Sequence, residues 1–232
     1  MKKYRSLSTR QSEQEIICGW VYFVLQFLVL PSCLTLLNAR TGYPMKEAEL
    51  NFIFFAVNFA AVAWIFHRFL GSSFRQVRLH PAYFCQAVIL GLAAYYVCSE
   101  GMNWLLARVA PGFSNANDAS IAALSRGNYT LMVIGTVLLV PPAEECFYRG
   151  LIFRPLYGKS PLAAYLVSMA AFSLAHIVGY WGSYSLWEMV VCFLQYLPAG
   201  LCLAWSYTKS DTIFAPIVIH ALVNAWGIWQ MR

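Results

Sequence analysis

Charge is what this chain has least of. Only 11% of its 232 residues are Asp, Glu, Lys or Arg, where a soluble domain carries roughly a quarter. With 60% of the residues hydrophobic, there is too little polar side chain to cover a water-facing surface. That excludes a soluble globular domain. Paired cysteines are missing as well. The seven cysteines (Cys18, Cys33, Cys85, Cys98, Cys146, Cys192 and Cys202) are odd in number, form no CxxC pair and mostly fall inside apolar runs. They read as small buried hydrophobes, not as a disulfide framework or a thiolate metal site. No repeat, low-complexity tract or second domain interrupts the chain. Its basic residues are scattered over the connections and form no nucleic-acid motif. The net charge of +6 therefore points to basic flanks against anionic lipid and not to nucleic acid.

What is present is a series of long apolar segments. A bilayer core of about 30 Å takes about 20 helical residues, and on that ruler seven spans are expected, at about 16–39, 50–69, 83–107, 129–153, 161–179, 186–207 and 212–230. Backbone groups in lipid must be satisfied within the segment, so the spans must be helices. The expected fold is all-α: one polytopic integral membrane domain over residues 1–232, with about seven transmembrane helices around an intramembrane polar site. The first span is too long for a signal-peptide core and has no convincing cleavage site, so it is expected to be retained. A cytoplasmic N-terminus puts Lys2, Lys3, Arg5, Arg10, Arg68, Arg75, Arg78, Arg154, Lys159 and Lys209 inside, against Arg40, Lys46, Arg108, Arg126 and Arg232 outside. Basic residues favour the cytoplasmic side, which predicts N-in and, with seven spans, C-out. In the connection 108–128, Asn117-Asp118-Ala119-Ser120 before Ile121 looks like a capped short helix at the outer interface, either a simple connector or a gate.

Ionisable groups inside spans are costly and by default mark function. Here they concentrate in the C-terminal half, as Glu144, Glu145, Arg149, His176 and His220, with Glu100 in the third span as an outlier. Glu145 and Arg149 are four apart, share a helix face and can pair, which gives them a supporting role. Glu144 points about 100° away and is left unpaired. A buried unpaired carboxylate is suited to act as a general base. Pro141-Pro142 just before it should break or kink the helix. His220 and Asn224 are again four apart on one face, and His176 closes Phe172-Ser173-Leu174-Ala175-His176. Cys146 and Ser173 are not obviously poised as nucleophiles. Together the polar residues suffice to activate water and to stabilise an oxyanion.

Glu144-Glu145-x-x-x-Arg149, Phe172-x-x-x-His176 and His220-x-x-x-Asn224, in this order in successive hydrophobic spans, resemble the CPBP family, the CAAX-processing and bacteriocin-processing (Abi) intramembrane glutamic endopeptidases. The likeness covers about 129–230, the expected catalytic core. The first three spans match only as generic hydrophobic helices. The resemblance implies that Glu144 activates water, His176 helps hold it, His220 and Asn224 form the oxyanion hole, and Glu145 and Arg149 support the site. It implies a substrate that is a membrane-associated peptide or protein in the lipid bilayer, either a prenylated C-terminal peptide or the leader of a bacteriocin or signal peptide. The short chain and small loops resemble the bacterial branch, and so a bacterial plasma membrane.

Two histidines and a glutamate can also bind catalytic zinc. The chain lacks HExxH, and Asn224 suits an oxyanion hole better than a zinc site, so no cofactor is expected, with zinc as the alternative. A non-enzymatic binding or immunity protein, or a proton-coupled transporter using Glu100, could employ the same residues. One expectation conflicts with the others: the span boundaries put Glu144 nearer the cytoplasmic side and His176 nearer the outer side, so one boundary must be wrong if these residues share a site.

Overall fold

The computed structural model describes residues 7–42 and 44–231. Lys2, Lys3, Arg5 and Arg232, counted above for orientation, lie outside the described residues. The described residues are mostly helical, and among them the only β-type pairing is an isolated bridge between Trp181 and Tyr184. Among the described residues ten helices follow in order: α1 (Glu13–Leu28), α2 (Leu30–Arg40), α3 (Glu47–Ile65), α4 (His67–Leu79), α5 (Pro81–Val109), α6 (Ala116–Gly127), α7 (Tyr129–Tyr157), α8 (Pro161–Ala175), α9 (Leu186–Ser210) and α10 (Phe214–Gln230). This is a polytopic membrane protein, as the composition requires.

Each of the seven expected spans is helical, but not all are long enough to cross a bilayer. Helices α3, α5, α7 and α9 are, and α1 with α2 makes a fifth crossing if the pair, bent by 49°, is one span. Helix α8 has 15 residues and α10 has 17, so these two fall short of the about 20 a full crossing needs. The expected connection between the spans 50–69 and 83–107 is largely helical, since His67–Leu79 form the amphipathic helix α4. It buries Phe69 and Ser73 and exposes Arg68, Arg75 and Arg78. Residues 116–127 do form the short helix expected there, but Asn115 caps it: its side chain accepts from the backbone of Asn117 and Asp118.

One face of the bundle is tied together by hydrogen bonds distant in sequence. Ser8 N–H donates to Asp211, Arg154 donates to the Thr9 carbonyl, and Thr212 donates to the Ser73 carbonyl. Glu15 closes a capping box with Ser12 at the start of α1 and also accepts from the Phe69 backbone N–H of α4. The N-terminal segment, α4 and the ends of α7 and α9 therefore share the face that carries Arg10, Arg68, Arg75, Arg78 and Arg154.

Of the break or kink expected at Pro141-Pro142, a break does not occur. Helix α7 runs through both prolines because its register changes before them. Residues Ile134–Leu139 are π-helical, and the Val140 N–H bonds to the Gly135 carbonyl. The wider turn leaves room for the proline rings, which start a new α-helical stretch at its first turn. A second π stretch follows at Cys146–Phe153.

The conflict over the depth of His176 also resolves. Helix α7 continues to Tyr157, so Glu144 stands thirteen residues, about 20 Å at 1.5 Å each, from its basic end. Helix α8 starts beside that end and stops at Ala175 instead of 179, which makes it about 22 Å long. His176 therefore returns to the level of Glu144. The boundary that mattered is the end of the fourth span, which runs to Tyr157 and not to 153. The chain between His176 and Ser185 is a short 3-10 turn and irregular backbone.

Candidate active site

Residues 144 and 145 diverge around α7, as their 100° separation requires. Glu145 turns into the bundle and is fully buried, while the Glu144 side chain keeps 28% of its surface. Glu145 Oε1 accepts from Arg149 Nη1 at 3.0 Å and is 2.9 Å from His220 Nδ1. Arg149, also fully buried, donates through Nη2 to the Gly200 carbonyl of α9 at 3.1 Å. Its guanidinium carbon stands 4.6 Å from the centre of the Phe172 ring. The expected pair is formed, and it does more than neutralise itself, since it joins α7 to α9 and α10 and holds an imidazole.

These contacts set the imidazole tautomers. A carboxylate paired with arginine stays ionised and can only accept, so His220 carries a proton on Nδ1. His176 Nδ1 lies 2.8 Å from the Phe172 carbonyl, which also only accepts, so it too is protonated there. Both rings thus turn Nε2 toward Glu144. Glu144 Oε2 lies 3.9 Å from His176 Nε2 and 3.9 Å from His220 Nε2, and is buried with no hydrogen bond to the protein. That distance is too long for a direct hydrogen bond and suits one bridging water. The His176 ring is clamped by Tyr196, stacked at 4.4 Å, and by Phe172 at 4.5 Å.

Asn224 owes its position to the π turn. In this register the Thr136 carbonyl would bond to residue 141, but Pro141 has no N–H, and the Val140 N–H is already on Gly135. Asn224 Nδ2 supplies the missing donor at 2.8 Å. The Asn amide carries a second hydrogen, and its side chain lines the same cavity as Glu144, His176 and His220. That cavity has a volume of about 1020 Å³, large enough for a peptide segment. Glu100, isolated in the sequence, lines it too. Cys146 and Ser173 are fully buried away from it.

The donor set has the chemistry of a zinc site, since both Nε2 lone pairs and a carboxylate converge. Ligand distances of about 2.0–2.1 Å in a tetrahedral site imply ligand–ligand separations of about 3.3 Å; here both Glu144–His separations are 3.9 Å. Among the described residues no group of three His, Cys, Asp or Glu is placed to hold a metal ion. The residues as arranged do not fit zinc.

Several participants left no readable mark in the sequence. The carbonyls of Thr136 and Gly200 act through their backbone, and Tyr196 is one of fourteen tyrosines. Phe172 was legible only as the first residue of its motif, where the four-residue spacing brings its carbonyl to the His176 ring.

Residues 126–226, which contain all six polar site residues, match the family described as type II CAAX prenyl endopeptidase, Rce1-like. The resemblance to the CPBP peptidases is therefore borne out. The chain is also similar to the UPF0177 protein YxdF of Lactococcus lactis, with 28% identity over 90 residues. That similarity covers 39% of this chain and 44% of the relative. No solved structure matches the chain.

Proposed function

We propose that this protein is an intramembrane endopeptidase in which Glu144 activates a water molecule for attack on a peptide bond. The observation that carries the reading is the convergence of Glu144 Oε2 with the two imidazole Nε2 atoms, each 3.9 Å away, at a cavity of peptide size. In this reading water bridges Glu144 and His176. Glu144 takes a proton as the oxygen attacks the carbonyl carbon and returns it to the leaving amine. His176 accepts a hydrogen bond from the water through its free Nε2.

The developing oxyanion is met by His220 and by the second hydrogen of Asn224. Because Nδ1 of His220 already donates to Glu145, a donor at Nε2 requires the doubly protonated ring, and the Glu145 carboxylate stabilises that cation. Glu145, held by Arg149, thus acts through His220 as a positioning residue. No step uses a metal. The N-terminus and the basic face described above are assigned to the cytoplasm, and the substrate is a membrane-associated peptide, prenylated or leader-bearing.

Purified wild type and Glu144→Gln in lipid nanodiscs, offered a prenylated peptide and a leader-bearing peptide library, provide the test, with products read by mass. Cleavage by wild type alone is expected, and it should persist in a chelator. Turnover by Glu144→Gln, or loss of activity in chelator with recovery on adding zinc, would refute this mechanism.

A further inference from the structure

The cavity extends well beyond Glu144. Past Tyr196 it opens into a vestibule walled by α5, the start of α6 and α9, and this wall is built of side-chain amides. Gln195 Nε2 donates to Asn103 Oδ1 at 3.2 Å, Asn115 Nδ2 donates to Gln195 Oε1 at 2.7 Å, and Asn117 Nδ2 donates to the Tyr196 hydroxyl at 3.0 Å. Amides offer both donors and acceptors, which suits a polypeptide backbone lying along them.

Two carboxylates stand in this wall. Asp118 Oδ1 accepts from the Tyr196 hydroxyl at 3.3 Å, and Asp118 and Glu100 both lie within electrostatic reach of the Tyr95 hydroxyl. Among the described residues no Lys or Arg lines the cavity. Among the described residues neither carboxylate has an ion pair; those formed by glutamates of the site involve Glu144 and Glu145. Arg108, at the end of α5, is engaged elsewhere: its guanidinium covers the Trp104 ring and donates to the Trp104 carbonyl. Burial pushes the Asp118 carboxyl above its ordinary range, only partly offset by the Tyr196 hydroxyl. Its charge is therefore held at a cost that an incoming cation would relieve. With Glu144, the described residues lining the cavity include three carboxylates and no Lys or Arg.

We infer that the vestibule selects peptides with a lysine or arginine on the α6 side of the scissile bond, and that Asp118 and Glu100 recognise it. This rests on the endopeptidase reading above and narrows it. Among the described residues a free C-terminal carboxylate would find no Lys or Arg in the vestibule and three like charges along the cavity. The end of a substrate that lodges there is an internal, basic stretch and not a chain terminus.

The test separates this inference from the proteolytic reading by measuring binding on Glu144→Gln, which removes the base and leaves the vestibule. Full-length protein in phosphatidylcholine nanodiscs is titrated with three fluorescent peptides. They share one apolar anchor and differ by a pair of lysines, glutamines or glutamates in the flanking stretch. The lysine peptide should bind at least about tenfold more tightly than the glutamine peptide, the glutamate peptide more weakly than either, and the preference should shrink with salt. Glu144→Gln combined with Glu100→Gln and Asp118→Asn should bind the lysine and glutamine peptides alike. Equal binding of all three peptides, failure of all three to bind, or a lysine preference that survives the two vestibule substitutions would overturn the inference. A lysine preference in binding, with no peptide cleaved by wild type, would uphold the vestibule and refute the peptidase.

Discussion

Replacing Arg149 by alanine should damage the fold and the site separately, and the structure gives a magnitude. Arg149 and Glu145 are fully buried. Removing the guanidinium leaves a carboxylate with no solvent and, apart from His220, no cation. Breaking a buried pair from one side costs about 3–5 kcal/mol, against a total stability of about 5–15 kcal/mol for a folded domain. The Gly200 carbonyl also loses a donor, and the contact with the Phe172 ring is lost. At about 2–4 °C per kcal/mol for a chain of this size, the unfolding midpoint should fall by about 10 °C, with reduced abundance in the membrane. The cysteines provide the assay. Four of the seven, Cys18, Cys33, Cys85 and Cys98, are exposed, contrary to the expectation that they are buried. Once these are replaced by alanine, only the buried Cys146, Cys192 and Cys202 remain, which react with a thiol dye on unfolding. A midpoint within 2 °C of wild type, a shift below about 1 kcal/mol on the same scale, would refute the assignment of this pair as a structural tie. The double variant Glu145→Gln/Arg149→Met removes both charges and should recover most of the lost stability. It should not recover activity, since the carboxylate that holds Nδ1 of His220 is gone. Recovery of both would mean that Glu145 does not position the imidazole.

Other expectations follow from single contacts. A Cβ on Gly200 would lie 2.9 Å from the Met169 Cα of α8, a backbone atom that cannot step aside, so Gly200→Ala should force α8 and α9 apart, cost about 1–3 kcal/mol and lower kcat; an unchanged unfolding midpoint would argue against this close approach. Asn224→Ala should lower kcat by about 10²–10³, the loss typical of an oxyanion donor, with little change in KM; unchanged turnover would remove Asn224 from the transition state. Tyr196→Leu frees one face of the His176 ring, so kcat should fall more than KM changes, and Tyr196→Phe, which keeps the ring, should restore it; equal losses in both variants would assign the effect to the hydroxyl. A cysteine introduced at Lys159 should react with an impermeant thiol reagent only when it is supplied from the cytoplasmic side; labelling from outside would reverse the orientation proposed here.

Local chemistry was legible in the sequence, and meetings between helices were not. The membrane class follows from having too few charges to cover a water-facing surface. The Glu145–Arg149 pair and the shared face of His220 and Asn224 follow from a four-residue spacing, because within one helix that spacing fixes which side chains meet. The likeness of three motifs to one peptidase family singled out Glu144, His176, His220 and Asn224, which the fold then brings to one cavity. What failed was the treatment of α7 and α8 as standard rods. The spacing of Pro141 and Pro142 predicts a break when the ladder is assumed α-helical, but a π turn ahead of them absorbs the prolines. The hydropathy of 161–179 predicts a full span, but the helix stops at Ala175, where the His176 ring finds the Phe172 carbonyl and the Tyr196 face.

The apolar composition, the runs long enough for helices and the i,i+4 pairs are properties of neighbours along the chain, and the sequence by itself determined them. Only the tertiary structure decided that Glu145 holds His220, that Asn224 caps the carbonyl orphaned by Pro141, and that Glu100 and Asp118 open onto one cavity. Each of these contacts joins residues from different helices. Their distances depend on helix length, register and packing summed over the whole bundle, and no local spacing encodes that sum.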